Sequence, residues 1–202
     1  RAFAKKGDYD MAFSALNEMT YLSKYDQVES SLSEAFIYEQ MKSYAEMYGC
    51  LTKVLELENE NEAALEKIVQ AAHSAKKIDH CISFHNLLID KNPYNYLAWN
   101  NLGHAYKGLK LYEKSIDAFE FVMAIKETYE SAYIDCADVY YKNKDYQKAI
   151  DLYCEVLDFT SLKKEVYYNI GKSYDALKNY SKSREYYKEA LIIDPYFARA
   201  FF

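Results

Sequence analysis

The chain has 202 residues, with 23 Tyr, 10 Phe and one Trp but only 5 Gly and 2 Pro. Average usage would give roughly 14 Gly and 10 Pro at this length, so an all-β domain, which needs a turn signal at about every tenth residue, is excluded along with collagen-like and linker-like chains. The net charge of −6 and pI of about 5.3 lack the basic footprint of a nucleic-acid binder, and no Lys/Arg block of five or more offers a polybasic membrane anchor.

Two periodicities organise the rest. At short range, apolar residues recur at offsets of 3, 4 and 7, which mark one face of an α-helix. At long range they recur at a constant step, the one that leads from Trp99 to Tyr133. Pro93 and Pro195 lie three such steps apart. Trp99, Tyr133, Tyr167 and Phe201 form one series; Tyr38, Tyr106, Tyr140 and Tyr174 a second, with Ala72 in its gap. Tyr44, Ile78, Tyr112, Tyr146 and Tyr180 form a third. Leu51, His85, Phe119, Tyr153 and Tyr187 form a fourth, and the smaller Met47, Cys81, Ser115, Ala149 and Ser183 a fifth.

The two periods together predict helix pairs. In chain order, a lone helix near 8–23 is followed by pairs near 28–41 and 44–57, 62–75 and 78–91, 96–109 and 112–126, 130–143 and 146–159, and 164–177 and 180–193. Each pair buries its apolar face only by stacking on its neighbours. Trp99, the largest side chain in its series, is expected to plug the core, with Trp99→Ala costing about 3–5 kcal/mol. Gly103 and Gly171 share one slot inside first helices, where a Gly costs about 1 kcal/mol, so a close helix–helix approach is expected there.

These residues resemble the tetratricopeptide repeat. The family pattern W-x-x-L-G-x-x-Y, then A, F or Y, A and P reads Trp99, Leu102, Gly103, Tyr106, Ser115, Phe119 and Val122 in one repeat. It reads Tyr133, Cys136, Ala137, Tyr140, Ala149, Tyr153 and Val156 in the next, and Tyr167, Ile170, Gly171, Tyr174, Ser183, Tyr187, Ala190 and Pro195 in the one after. Leu65 to Pro93 is a weaker copy. The resemblance implies an all-α fold, an α-α superhelix or solenoid of antiparallel helix pairs, over 1–202. A partial repeat over 1–27 precedes repeats 28–61, 62–95, 96–129, 130–163 and 164–197, and a further one begins at 198–202. Arg1 is not a starting Met and the chain ends on Phe201-Phe202, so it reads as a fragment of a longer protein.

No Walker loop, G-x-G-x-x-G, H-E-x-x-H or G-x-S-x-G is present. No catalytic residue, cofactor or metal site is therefore expected. Cys81 and His85, four apart on one helix, are an incomplete zinc set and fill packing slots. Cys50, Cys81, Cys136 and Cys154 show no metal or disulfide spacing, which suits thiols in a reducing, cytoplasmic setting. The acidic run Glu56, Glu58, Glu60, Glu62 and Glu66 lacks the spacing of an EF-hand loop and reads as a solvated turn.

In this family the first helices line a concave groove. The resemblance therefore places Asn100, Asn101, His104, Lys107, Asp135, Asp138, Tyr141, Tyr168, Asn169 and Lys172 on a binding surface, together with Glu66, Lys67, Gln70 and His73. Such a mixed polar and tyrosine surface suits peptide backbone and apolar side chains. The basic clamp of chaperone-tail binders is not reproduced, since Glu66 and Asp135 stand where cations are needed. The implied function is a non-enzymatic scaffold that binds a protein or peptide partner of unknown identity, without nucleic acid or membrane insertion. Two alternatives remain open: a regulatory or targeting segment of a larger enzyme or signalling protein, or self-association through end faces carrying Phe197, Phe201 and Phe202 or Phe3 and Phe13.

Overall fold

The computed structural model describes residues 2–17 and 23–197. Phe201 and Phe202 lie outside the described residues. The chain divides into two compact units, Arg1–Gly108 and Leu109–Phe202. Among the described residues the first unit contains α1 (Ala2–Lys5), α2 (Tyr9–Asn17), α3 (Lys24–Gln40), α4 (Tyr44–Leu57), α5 (Glu62–Ser74), α6 (Ile78–Lys91) and α7 (Tyr96–Gly108). The second contains α8 (Tyr112–Ile125), α9 (Glu130–Lys142), α10 (Tyr146–Val156), α11 (Lys163–Ala176) and α12 (Tyr180–Ile193). No strand occurs among them, and no helix is long and apolar enough to cross a membrane.

Most helices fall within a residue or two of their predicted bounds. The α1 helix is not among the predicted helices, and α2 is described only to Asn17 of the predicted 8–23, with 18–22 outside the described residues. Two others depart for reasons of local chemistry. The α3 helix begins at Lys24 rather than 28 because Ser23 and Asp26 form a reciprocal capping box: Ser23 Oγ accepts from the Asp26 amide, and Asp26 Oδ2 accepts from the Ser23 amide at 2.9 Å. The α10 helix stops at Val156, short of the expected 159, where the amides of Phe159 and Thr160 both turn back onto the Val156 carbonyl. The two prolines punctuate alike. Each follows a C-cap residue, Asn92 or Asp194, whose side chain accepts from the amide two residues on, at 3.1 and 3.0 Å.

The turns inside the hairpins hold a feature that the aromatic series did not reveal. Lys42, Lys76, Lys110, Lys144 and Lys178 recur at the repeat step and all have positive φ, between 57° and 67°. At Lys144 the turn is a Schellman closure. The amide of Asp145 donates to the Tyr140 carbonyl at 2.9 Å, and that of Lys144 to the Tyr141 carbonyl at 3.0 Å. Glycine favours this left-handed position, and an L side chain there costs about 1–2 kcal/mol. Lys144 is exposed and gains no packing in return. Lys144→Gly is therefore expected to stabilise the second unit by about 1 kcal/mol, read as a raised urea midpoint; an unchanged or lowered midpoint would refute this account of the turn.

The cores follow the fourth and fifth series. Met47, Cys81, Ser115, Ala149 and Ser183 are all buried, as are Leu51, His85, Phe119 and Tyr153. Trp99 corrects the sequence expectation. It is only half-buried, with its Nε1 donating to the Pro93 carbonyl at 2.9 Å. Within its series Tyr133 is buried while Trp99 and Tyr167 are half-buried, and the two bulkiest fully buried side chains among the described residues are Tyr153 and Phe119. Gly171 is explained, though by a ring more than by a helix backbone. A Cβ there would lie 2.6 Å from Cδ1 and Cε1 of Tyr187 and 3.2 Å from the Ser183 carbonyl oxygen.

Candidate functional site

The expected binding residues lie on first helices: α7 in the first unit, α9 and α11 in the second. On α7, Asn100 and Asn101 are buried rather than exposed. The cause for Asn101 is a bonded network. Its Nδ2 donates to the Leu65 carbonyl at 2.9 Å and lies 3.1 Å from His85 Nε2. His85 Nδ1 lies 2.8 Å from the Cys81 carbonyl. A carbonyl only accepts, so Nδ1 carries the imidazole proton and Nε2 offers its lone pair to the Asn101 amide. Asn101 thus ties α5, α6 and α7 together. Burial holds His85 well below its usual range, at about 4, against an opposing bond to the Cys81 carbonyl. Asn100 Oδ1 is buried with no hydrogen-bond partner. His104 and Lys107 are half-buried.

In the second unit, α9 and α11 bring Tyr141, Lys172 and Tyr168 onto one wall. Lys172 Nζ sits 4.2 Å from the centroid of the Tyr141 ring, a cation–π contact that holds a charge beside an aromatic face. Tyr168 packs between Tyr187 and Phe197, both at 5.6 Å between ring centroids. Asn169 and Asp135 are half-buried. Asp138 is engaged, accepting from the Tyr153 hydroxyl, and Asp175 accepts from the Tyr187 hydroxyl at 2.7 Å. The tyrosine slots of the second helices therefore engage two acids of the first helices, and of the expected binding residues on this wall Lys172 is exposed while Tyr141, Tyr168 and Asn169 are half-buried.

The remaining sequence candidates take structural places. Cys81 and His85 form the buried pair just described. Beside this pair, His80, which the sequence did not single out, has its Nδ1 2.9 Å from the Tyr48 hydroxyl. In the acidic run, Glu58 accepts from Asn61 at 3.0 Å and Glu60 from Asn92 at 2.6 Å. All four cysteines are thiols, and burial pushes Cys50 and Cys81 up to about 12. Among the described residues no group of three His, Cys, Asp or Glu could hold a metal ion. Phe13 packs on Tyr38 at 5.2 Å, while Phe3 is exposed.

Residues 96–129 and 165–197 each match the tetratricopeptide repeat family. The chain carries tetratricopeptide repeats. Residues 1–22, within the expected partial leading repeat 1–27, match a different helical repeat, the PPR repeat. Among solved structures the TPR chain is similar to MamA at 19% identity, covering 88% of this chain and 97% of that one with a TM-score of 0.67. It is similar to PilW, described as a widely conserved type IV pilus biogenesis factor, at 14% identity, with coverage of 98% and 92% and a TM-score of 0.72. A thermophilic TPR protein of Thermus thermophilus matches at 13% identity, with coverage of 86% and 94% and a TM-score of 0.62. These likenesses show an all-α repeat fold. No curated protein sequence matches the chain. TPR folds are typical of protein–protein interaction scaffolds.

Two further residues stand in the groove register of the repeat. Leu32 and Phe36 occupy on α3 the positions that Asn100 and His104 occupy on α7, two repeats later. The groove expected from the sequence begins at Glu66, in repeat 62–95, and does not include them. Carrying the register one repeat further back finds them.

Proposed function

We propose that the TPR chain is a non-enzymatic scaffold that holds a protein partner against the first-helix faces of its repeats, bounded as 28–61, 62–95, 96–129, 130–163 and 164–197. The observation that carries this reading is the Tyr141, Lys172 and Tyr168 wall. Tyrosine presents area with little rotamer entropy to lose, and a lysine over its ring adds a fixed charge, a combination suited to protein contacts. The same reading places the chain in the cytoplasm, in keeping with its thiols.

The test is affinity capture with the wild-type chain and with Tyr168→Ala combined with Lys172→Ala. Both positions lie outside the buried core, so the far-UV spectrum should not change. A partner lost at least tenfold by the variant supports the reading. Equal retention by both proteins would show that another surface binds. Asn101 is unsuitable for this test, because removing its amide would strand His85 and the Leu65 carbonyl.

A further inference from the structure

The first unit contains a hollow that the repeat register explains. A half-open notch of about 190 Å³ is lined by Leu32, Ala35 and Phe36 of α3, Leu51 of α4, and Ala63 and Lys67 of α5. One repeat later four of the six equivalent slots hold larger or hydrogen-bonded side chains, while Glu66 stands for Leu32 and Gln70 for Phe36. Val69 stands for Ala35, Leu97 for Ala63, His85 for Leu51 and Asn101 for Lys67. There the Asn101 amide closes onto His85. Here Lys67 turns to the rim and pairs with Glu39 at 2.5 Å. Smaller walls and an absent polar bridge leave the space open over Leu51.

Size and chemistry narrow what fits. A dry apolar cavity of about 150 Å³ accepts benzene, so this notch takes one leucine-, methionine- or phenylalanine-sized side chain. Of its lining side chains only Lys67 is polar, and its head pairs with Glu39. The two first helices that frame it are acidic in composition. The α3 and α5 helices carry Asp26, Glu29, Glu34, Glu39, Glu62 and Glu66 against Lys24 and Lys67. Glu29 lies one turn from Leu32 on the same stripe of α3, and Glu66 adjoins Lys67. Like charges at such a rim repel an acidic segment and draw a basic one.

We infer that the notch is an anchor site for a single bulky apolar side chain presented by a Lys/Arg-rich segment of a partner protein. The inference rests on the reading that first-helix faces bind protein, and it supplies a second contact point with its own specificity. An anchored side chain in a desolvated pocket, ringed by complementary charge, is the form that interface hot spots take.

The experiment uses the full chain and labelled seven-residue peptides, blocked at both ends, with fluorescence anisotropy as the readout. One peptide has a central leucine between lysines, a second has alanine at the centre, and a third has leucine between glutamates. The lysine–leucine peptide is expected to bind at least tenfold tighter than either control. Ala63→Trp, which fills the notch from an exposed position, should remove the preference for leucine. Glu29→Lys with Glu66→Lys should remove the preference for lysine while leaving the helical spectrum intact. Equal binding of the leucine and alanine peptides, or of the lysine and glutamate peptides, overturns the proposal, as does the absence of binding by all three, and the capture experiment still decides the wider reading. If the leucine preference survives Ala63→Trp but is lost in Tyr168→Ala, the notch assignment falls and the first-helix reading stands. If neither variant alters peptide binding, the notch assignment falls and the capture experiment decides the wider reading.

Discussion

Tyr153→Ala is expected to cost the second unit about 3–5 kcal/mol, the range for emptying an aromatic core site. The side chain is 1% exposed. It sits among Tyr133, Ala137, Ile150, Val156, Val166, Ile170 and Tyr174, so its removal opens a cavity bounded by α9, α10 and α11. Neighbours in a close-packed interior relax only in part, and the lost contacts are not recovered. The hydroxyl adds a smaller term. It donates to Asp138, which is half-buried and regains water when the donor is removed, so Tyr153→Phe should cost only about 1 kcal/mol. Trp99→Ala is the control that separates burial from size. Trp99 is larger but half-buried, and its loss should fall well below that of Tyr153. In a repeat array each element leans mainly on its neighbours, so hydrogen exchange across α9–α11 is the sharpest readout. If Trp99→Ala proves the more damaging of the two, the placement of the core along the fourth series is wrong.

That ranking shows where the sequence was legible. The repeat step located the five helix pairs from α3 to α12, because stacked hairpins must present the same face at the same interval. It did not separate the series by burial. Trp99, Tyr133 and Tyr167 share a slot with one another but not a depth: Tyr133 is 7% exposed and the other two are half-buried. The fourth series points into the pair and is buried through Tyr153, so its contents set the character of each repeat: leucine, histidine, phenylalanine, tyrosine. The groove was legible in register but not in contact. Asn101 occupies a groove position, yet its amide turns inward because the preceding repeat placed a histidine in a core slot. The same substitution is missing one repeat earlier, and there a notch remains. The left-handed lysines escaped notice because lysine carries no turn signal of its own; only its recurrence from one hairpin turn to the next does.

The His85 network makes a second prediction of comparable size. Imidazole in water titrates near 6.5; in the fold His85 is held at about 4, chiefly by burial. The groups named against it are the Cys81 carbonyl and thiol and the Asn101 amide, none of them an acid that would hold a proton in place. Above pH 6.5 both folded and unfolded chains carry neutral imidazole, and the network contributes in full. Below it the unfolded chain takes up a proton that the folded one refuses, so stability falls as pH falls, approaching about 1.4 kcal/mol per unit. The loss levels off near pH 4, where the folded form titrates as well, after a total of about 3 kcal/mol. His85→Phe isolates this term, because Phe119 already fills the same slot one repeat on. At pH 7.5 the variant should be less stable by about 1 kcal/mol, since the Asn101 amide loses one acceptor. At pH 4 it should be the more stable protein. Carboxylates and tyrosines titrate alike in both chains and cancel in the difference, so urea midpoints for the two proteins must cross between pH 7.5 and 4. A constant gap across that range would mean that His85 is reached by water and gains its proton within the fold, and the α5–α7 network would then contribute nothing that depends on keeping the ring neutral.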